Sequence, residues 1–289
     1  MISALIKTMR PRQWTKNGFV FFALMFDKQL FLREPFLRTL EGFLLFCLAS
    51  SAVYLINDIA DVEADRKHPE KKHRPIASGK LPLNAARLAA IVLVAIALPL
   101  GYLLSPALAV ILAVYLAINI LYSRWLKHIP ILDVFIVSSG FVLRVAAGVA
   151  LITVERFSPW LYMITTLFSL YIGFGKRRAE MSLLETGAGS HRKVLDGYTL
   201  PLLDQLITIV SGTTIVTYSL YTFTAPNLPE NHSMMLTIPF VVYGIFRYLQ
   251  LIQTGHAAGA PDEVALKDRP LQVTVVLWVI SVIAIFYRS

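Results

Sequence analysis

The run Ala49-Ser50-Ser51-Ala52-Val53-Tyr54-Leu55-Ile56, followed at once by Asn57-Asp58-Ile59-Ala60-Asp61-Val62-Glu63-Ala64-Asp65, decides the fold. Its first half closes an apolar segment that begins near residue 38, about the ~20 residues that a bilayer-crossing helix needs. Its second half brings three aspartates in quick succession. On a helix, Asp58, Asp61 and Asp65 lie within about 60° of one another. Like charges that close on one face repel, so a shared divalent cation is their natural partner. Mg²⁺ takes carboxylate oxygens, keeps several waters and completes its shell with substrate phosphates. The motif therefore reads as a Mg²⁺–diphosphate clamp with Asp58, Asp61 and Asp65 as metal ligands and Asn57 beside them. The competing reading is a solvated helix end whose acids pair with Arg66, Lys67 and Arg74. The abrupt change from apolar to acidic, with a basic run after it, favours the clamp.

Working outward, the rest of the chain has the same grain. It is 56% hydrophobic and 16% charged over 289 residues, with a mean hydropathy of +0.62. Soluble domains carry about 25% charged residues. Apolar segments fall at 17–32, 38–57, 84–104, 106–123, 131–153, 158–175, 203–224, 234–252 and 271–287. The expectation is an all-α, polytopic membrane helix bundle of about nine transmembrane helices, forming a single transmembrane catalytic domain over 1–289. The first segment is the weakest, because its apolar core is too short to span alone. Ser105-Pro106 predicts a tight turn between two helices of a hairpin. Cys47 is the one cysteine, which excludes a disulfide framework and a cysteine-based zinc site. The basic start followed by Phe19 to Phe26 has no small-residue cleavage site, so it reads as a retained anchor rather than a signal peptide.

The net charge of +9 does not point to nucleic acid, because the charges sit in loops between apolar runs. Of the 27 Lys and Arg residues, only Lys28, Arg33, Arg38, Arg156 and Arg288 fall on one side, and Arg144 lies inside a segment. The others gather at the N-terminus and in the loops at 58–83, 124–130, 176–202 and 253–270, counting the helix-end residues Arg87 and Arg247 with them. By the positive-inside rule that side is cytoplasmic. Nine spans then put the N-terminus inside, the C-terminus outside and the acidic motif at the cytoplasmic face.

Three further groups stand out. In Lys71-Lys72-His73-Arg74-Pro75-Ile76-Ala77-Ser78-Gly79, cations can neutralise phosphate oxygens. Arg74, set before a proline, is the better substrate contact there, whereas Lys71 and Lys72 also suit a simple positive-inside anchor. In Gly175-Lys176-Arg177-Arg178-Ala179-Glu180, Lys176 and Arg177 can bind phosphate and Glu180 a metal or ribose. Equally, Lys176 and Glu180 can form a surface i,i+4 pair. His191-Arg192-Lys193, Asp196, Tyr198, Asp204 and Gln205 follow as further polar groups. Arg144 lies within an apolar segment, where an arginine is costly and faces the protein interior. Either it pairs with Asp133 or it contacts substrate. Asp268-Arg269 is a weaker lipid-phosphate candidate.

With these motifs assembled, the chain resembles the UbiA superfamily of membrane prenyltransferases, through Asn57-Asp58-x-x-Asp61-x-x-x-Asp65, Tyr122-Ser123, Asp133 and Arg144. Arg10-Pro11-Arg12-Gln13-Trp14-Thr15-Lys16-Asn17, the run from His68 to Gly79, Gly175 to Glu180 and Asp268-Arg269-Pro270 resemble the branch that acts on polyprenyl phosphates. The resemblance implies Mg²⁺-dependent transfer of 5-phosphoribose from phosphoribosyl pyrophosphate to a polyprenyl phosphate, in a bacterial plasma membrane. It implies substrate contacts from Asn57, Lys16, Lys71, Arg74, Arg144, Lys176, Arg177 and Glu180, and a product used in building the cell envelope. Aromatic prenyltransferases of the superfamily carry a second Asp-rich motif where this chain has Lys176-Arg177-Arg178-Ala179-Glu180, a departure from the aromatic-acceptor reading. That alternative, prenyl transfer to an aromatic acceptor, would use the same clamp with the lipid as donor. A transporter would place its polar residues near the bilayer midplane, but here they collect at one face.

Overall fold

The computed structural model describes residues 1–69, 71–154, 159–185, 193–225, 228–254 and 267–288, and among these there are helices and loops but no strands. Among the described residues, seven helices are long and apolar enough to cross a membrane: Arg33–Ala60, Leu83–Leu104, Pro106–Arg124, Leu132–Leu151, Leu200–Thr224, Ser233–Gln253 and Arg269–Tyr287. We label the α-helices α1 (Ile2–Met9), α2 (Phe21–Phe26), α3 (Arg33–Ala60), α4 (Val62–Lys67), α5 (Leu83–Leu104) and α6 (Pro106–Arg124). They continue with α7 (Leu132–Leu151), α8 (Pro159–Glu185), α9 (Leu200–Thr224), α10 (Ile238–Gln253) and α11 (Arg269–Arg288). Helix α8 is 27 residues long but is diluted by Thr, Ser, Gly and its Lys176-Arg177-Arg178 end. Two compact units result, residues 1–127 with 143–154, and residues 128–142 with 155–289.

In the first unit α3 is the central element: 56% of its most apolar window is buried, against 17% for α5. Its Leu45, Phe46, Ala49 and Val53 pack with Ala97 of α5, Leu108, Leu112 and Tyr115 of α6, and Ala147 and Leu151 of α7. Ala49, Ala97 and Ala147 lie among these larger side chains, small residues of the kind that let membrane helices approach closely. The turn expected at Ser105-Pro106 is there: Ser105 is extended and Pro106 opens α6. At the end of α3 away from Asp58, Arg38 donates to the terminal carbonyls of two helices, Leu151 O at 3.2 Å and Leu104 O at 2.9 Å.

The apolar segment expected at 17–32 takes an unexpected form. Residues Pro11–Val20 form a 3₁₀ helix that continues into the six-residue α2. At about 2.0 Å rise per residue for 3₁₀ and 1.5 Å for α, the sixteen residues extend roughly 29 Å, close to the ~30 Å hydrocarbon thickness. They run antiparallel to α3: Trp14 bonds Ser51, Asn17 bonds Cys47 and Ser50, and Phe21 packs on Phe43 and Phe36. A segment too short to span as an α-helix thus gains reach by tightening. Polar residues from Arg12 to Lys16, which sequence patterning placed outside the segment, lie within it.

This packing leaves no room at Gly148 of α7, where a Cβ would lie 2.1 Å from the Val20 carbonyl oxygen. Gly148→Ala should therefore lower stability by about 1–3 kcal/mol, read as a lower midpoint of thermal unfolding in detergent. Gly212→Ala, at a helical position with nothing within 4 Å, should leave the midpoint unchanged or slightly raised.

In the second unit α8 packs on α9 and α10, and α10 on α11. Leu170, Tyr171 and Phe174 of α8 meet Leu203 and Ile207 of α9 and Ile245, Tyr248 and Ile252 of α10, with Val194, Leu195 and Tyr198 packed among them. Thr199 caps α9 by accepting from the Leu202 N–H at 3.2 Å.

Candidate active site

Helix α3 ends at Ala60, and after Asp61 the chain resumes as α4 in nearly the same direction, with Asp61 N–H on Asn57 O and Asp65 N–H on Asp61 O. Asp58 and Asp65, two turns apart, face the same way and are buried, 3% and 4% exposed. Arg74 spans them: its Nη1 donates to Asp58 Oδ1 at 3.1 Å and to Asp65 Oδ2 at 2.8 Å. Arg10 Nη2 adds a second donor to Asp58 Oδ1 at 2.7 Å, and its guanidinium lies 4.8 Å over the Tyr54 ring. Asp61 is offset from this pair and more exposed, and bonds Lys127 Nζ at 2.8 Å. The three aspartates expected on one face thus divide into a buried pair and an outlying third. Among the described residues, no group of three His, Cys, Asp or Glu side chains converges as a metal cluster.

Local sequence explains how Arg74 arrives there. Ile76 and Leu81 are buried against Leu55, Val62, Ala86 and Ala90, and Leu81 N–H bonds Pro75 O at 2.9 Å. The loop is therefore packed beneath the ends of α3 and α5 with Arg74 at its root. Lys71 is exposed on the short 3₁₀ turn that precedes it. Arg66 pairs with Glu63 at 2.8 Å on the outer surface, away from the buried carboxylates. Asn57 is half-buried, with its Oδ1 hydrogen-bonded by the Ser123 hydroxyl.

Arg10 has a left-handed backbone, φ 53°, which costs a non-glycine residue about 1–2 kcal/mol. It makes the corner between α1 and the 3₁₀ segment, and its two side-chain contacts offset that cost. Sequence patterning quoted Arg10 within a motif but gave it no role. Its signal was only that a basic residue directly precedes Pro11. Lys16 is half-buried on the same segment, next to Asn17. Arg144, expected to meet Asp133 or substrate, is 7% exposed and donates to Asn17 Oδ1 at 2.8 Å and to the Tyr115 hydroxyl at 3.2 Å. A pair with Asp133 is ruled out because eleven residues along one helix separate them by about 16 Å.

The second unit spends its charges internally. Asp133 is fully buried and accepts from Arg177 Nε at 2.7 Å and from the Tyr198 hydroxyl at 2.7 Å. Arg177 also binds Glu180, so the two expected phosphate and metal contacts are bonded to each other. The Tyr198 hydroxyl accepts from Ile131 N–H at 2.5 Å, at a β-branched residue with φ 68°, a rare conformation that needs outside support. Beside it, a Cβ on Gly197 would sit 2.2 Å from the Pro130 ring. Arg178 pairs with Asp204 at 2.5 Å. Lys176 is half-buried on α8. Asp268 binds both Nε and Nη2 of Arg247 and caps Leu271 N–H, so the Arg247 guanidinium holds its carboxyl below the usual range. His191 and Arg192 lie outside the described residues.

The end of α3 thus holds a buried acidic pair met by the cations Arg10 and Arg74. The UbiA prenyltransferase family model matches residues 19–267, and the chain belongs to that family and is an integral membrane protein. It is 36% identical to decaprenyl-phosphate phosphoribosyltransferase of Corynebacterium glutamicum, covering 99% of this chain and 88% of that one. The protein of that name from Mycolicibacterium smegmatis is also 36% identical, over 100% and 94% of the two chains. Among solved structures, a UbiA homolog from Archaeoglobus fulgidus bound to DMAPP and Mg²⁺ superposes with a TM-score of 0.73 at 16% identity, covering 98% of this chain and 99% of that one.

The Asp133 network yields a pH-dependent expectation. Burial first, then the bond to Asp133, push the Tyr198 phenol well above its ordinary value. Its raised folded pKa contributes stability that is whole below the unfolded value near 10 and is lost as pH rises beyond it. Tyr198→Phe, which also orphans Ile131 N–H, should cost about 1–3 kcal/mol near neutrality. The gap between variant and wild type should narrow above about pH 10 in thermal unfolding measured across pH.

Proposed function

We propose that this chain transfers 5-phosphoribose from phosphoribosyl pyrophosphate to a polyprenyl phosphate of the decaprenyl type, releasing pyrophosphate. Full-length likeness to two phosphoribosyltransferases carries the reading, and the acidic end of the first unit supports it. There, carboxylate oxygens of Asp58 and Asp65 converge on one cationic nitrogen, Arg74 Nη1. An all-oxygen, anionic donor pair of this kind fits Mg²⁺, and Asp58 and Asp65 are the residues that would hold it. Asp61 belongs to the same motif and is paired with Lys127. When bound, Mg²⁺ neutralises the charge that develops on the departing pyrophosphate.

The chain's own side chains supply the rest. Arg10, Arg74 and Lys127 surround the carboxylates with charge-assisted donors suited to phosphate oxygens. A donor with a 5-phosphate as well as a diphosphate calls for more such groups than a prenyl diphosphate does. The bond from C1 to the pyrophosphate oxygen breaks, and an oxygen of the acceptor phosphate bonds to C1. That acceptor is already ionised at neutral pH, so no side chain is needed as a general base. In this reading the chain crosses a plasma membrane nine times, counting Pro11–Phe26 and α8, with the acidic end and N-terminus cytoplasmic and the C-terminus outside.

The test uses membranes from cells expressing the full chain, assayed with and without EDTA. Labelled phosphoribosyl pyrophosphate with a polyprenyl phosphate should give EDTA-sensitive label in the lipid phase. Label only from a polyprenyl diphosphate offered with 4-hydroxybenzoate would overturn the proposal in favour of aromatic prenylation. Asp58→Ala should lower turnover by about 100-fold or more while the protein still accumulates in the membrane. Undiminished transfer in that variant at saturating Mg²⁺ would remove Asp58 from the site.

A further inference from the structure

One polar ladder climbs α3 from mid-helix to the acidic end. Ser50 and Ser51 lie three and four residues after Cys47, Tyr54 four and three after them, and Asp58 four after Tyr54, which places all five on one face. The 3₁₀ segment answers rung by rung. Asn17 Nδ2 donates to Cys47 Sγ and Ser50 Oγ, each at 3.2 Å, and Trp14 Nε1 donates to Ser51 Oγ at 3.0 Å. Arg10 then lies over Tyr54 and reaches Asp58. The foot of the ladder is a single residue of α7, Arg144, whose Nε donates to the Oδ1 of fully buried Asn17 at 2.8 Å. Its guanidinium lies over the rings of Tyr115 and Phe46, at 5.0 and 5.4 Å from their centroids. One turn further along α7, Gly148 takes the backbone of Val20 against its bare Cα.

From this arrangement we infer that Arg144 is a positioning residue: through Asn17 it fixes the register of the 3₁₀ segment on α3, and so holds Arg10 at Asp58. Two features make the link directional. The planar amide of Asn17 can accept from Arg144 on one side while donating to α3 on the other, so losing Arg144 releases its orientation. A 3₁₀ helix has poorer hydrogen-bond geometry than an α-helix and rarely extends beyond three or four residues. Ten residues of it persist here on side-chain contacts, and freed from them the segment would relax toward a shorter α-helix and draw Arg10 away from Asp58. Arg144 is a buried cation in an apolar segment, a place where charge is retained for a purpose. Here that purpose is mechanical, exerted on Asp58 from about three helical turns away along α3.

The inference rests on the phosphoribosyl-transfer reading for its kinetic arm, and a second arm is independent of it. Arg144→Met keeps the side chain's length and removes its donors; Asn17→Ala cuts the same link from the other side and serves if the first variant fails to accumulate. Hydrogen exchange by mass spectrometry on the full-length protein in detergent should show faster exchange over residues 11–20 in either variant. Exchange in the second unit should be unchanged. In the transfer assay, KM for phosphoribosyl pyrophosphate should rise about tenfold, as expected for a lost charge-assisted hydrogen bond, with a smaller change in kcat. A double-mutant cycle then separates positioning from general damage. If Arg144 acts through Arg10, Arg10→Ala with Arg144→Met should be no worse than Arg10→Ala alone. Unchanged exchange over 11–20, or effects that multiply in the double variant, would overturn the inference. If the wild type transfers no phosphoribose, the functional reading fails and the exchange result alone decides whether Arg144 pins the segment.

Discussion

A carboxylate 3% exposed at the end of a 28-residue apolar helix is the constraint around which the first unit is organised. Burying an ionised group is strongly unfavourable unless positive partners replace its water, and Asp58 obtains two, from opposite directions in the sequence. Arg10 comes from the N-terminal corner and Arg74 from the loop after α4, and both donate to the same Oδ1. Each partner needs its own scaffold. Arg74 relies on Ile76 and Leu81 packed under the helix ends, and Arg10 relies on a backbone in a left-handed conformation and on the 3₁₀ segment behind it. The acid thus determines where two distant stretches of chain must lie.

The same constraint explains the first crossing segment. A helix that delivers Arg10 to Asp58 while reaching the far end of α3 has too few residues to do so with α geometry. The 3₁₀ form has a longer rise per residue and covers the distance. It has weaker backbone geometry, and side-chain bonds from Trp14 and Asn17 offset that weakness. Few segments of a membrane protein tolerate so many polar residues. Trp14 and Asn17 are accommodated because they bond inward to α3 and to Arg144 of α7.

The second unit treats charge differently. Asp133 is bonded by Arg177 and Tyr198, Arg177 also bonds Glu180, and Arg178 with Asp204 repeats the pattern nearby. Buried pairs of this kind add little net stability when intact but are costly to break, so they fix a single arrangement of α8 and the loop before α9. The strained backbone at Ile131 is held in that arrangement by the Tyr198 hydroxyl. Arg177 and Arg178, cations of a type that suits phosphate, pair here with Asp133, Glu180 and Asp204.

Much of the protein was legible in its sequence, and the reason is periodicity. Apolar runs of bilayer length, the Ser105-Pro106 turn and the segregation of Lys and Arg are local or additive properties, so the chain alone specifies an all-α membrane protein. The spacing of Asp58, Asp61 and Asp65 likewise marks the end of α3 where acidic and basic side chains gather. Pairings were another matter. Arg144 beside Asn17, Arg10 beside Asp58 and Arg177 beside Asp133 join residues 127, 48 and 44 positions apart, and no local pattern encodes which cation meets which acid. The 3₁₀ segment was hidden for the same reason, because its stability comes from tertiary contacts and not from propensity. By itself the sequence determined the class of the chain and the end of α3 where its chemistry gathers. Only the tertiary structure decided which charges face that chemistry and which are consumed in holding the helices together, because a buried charge takes its role from the partners that replace its water.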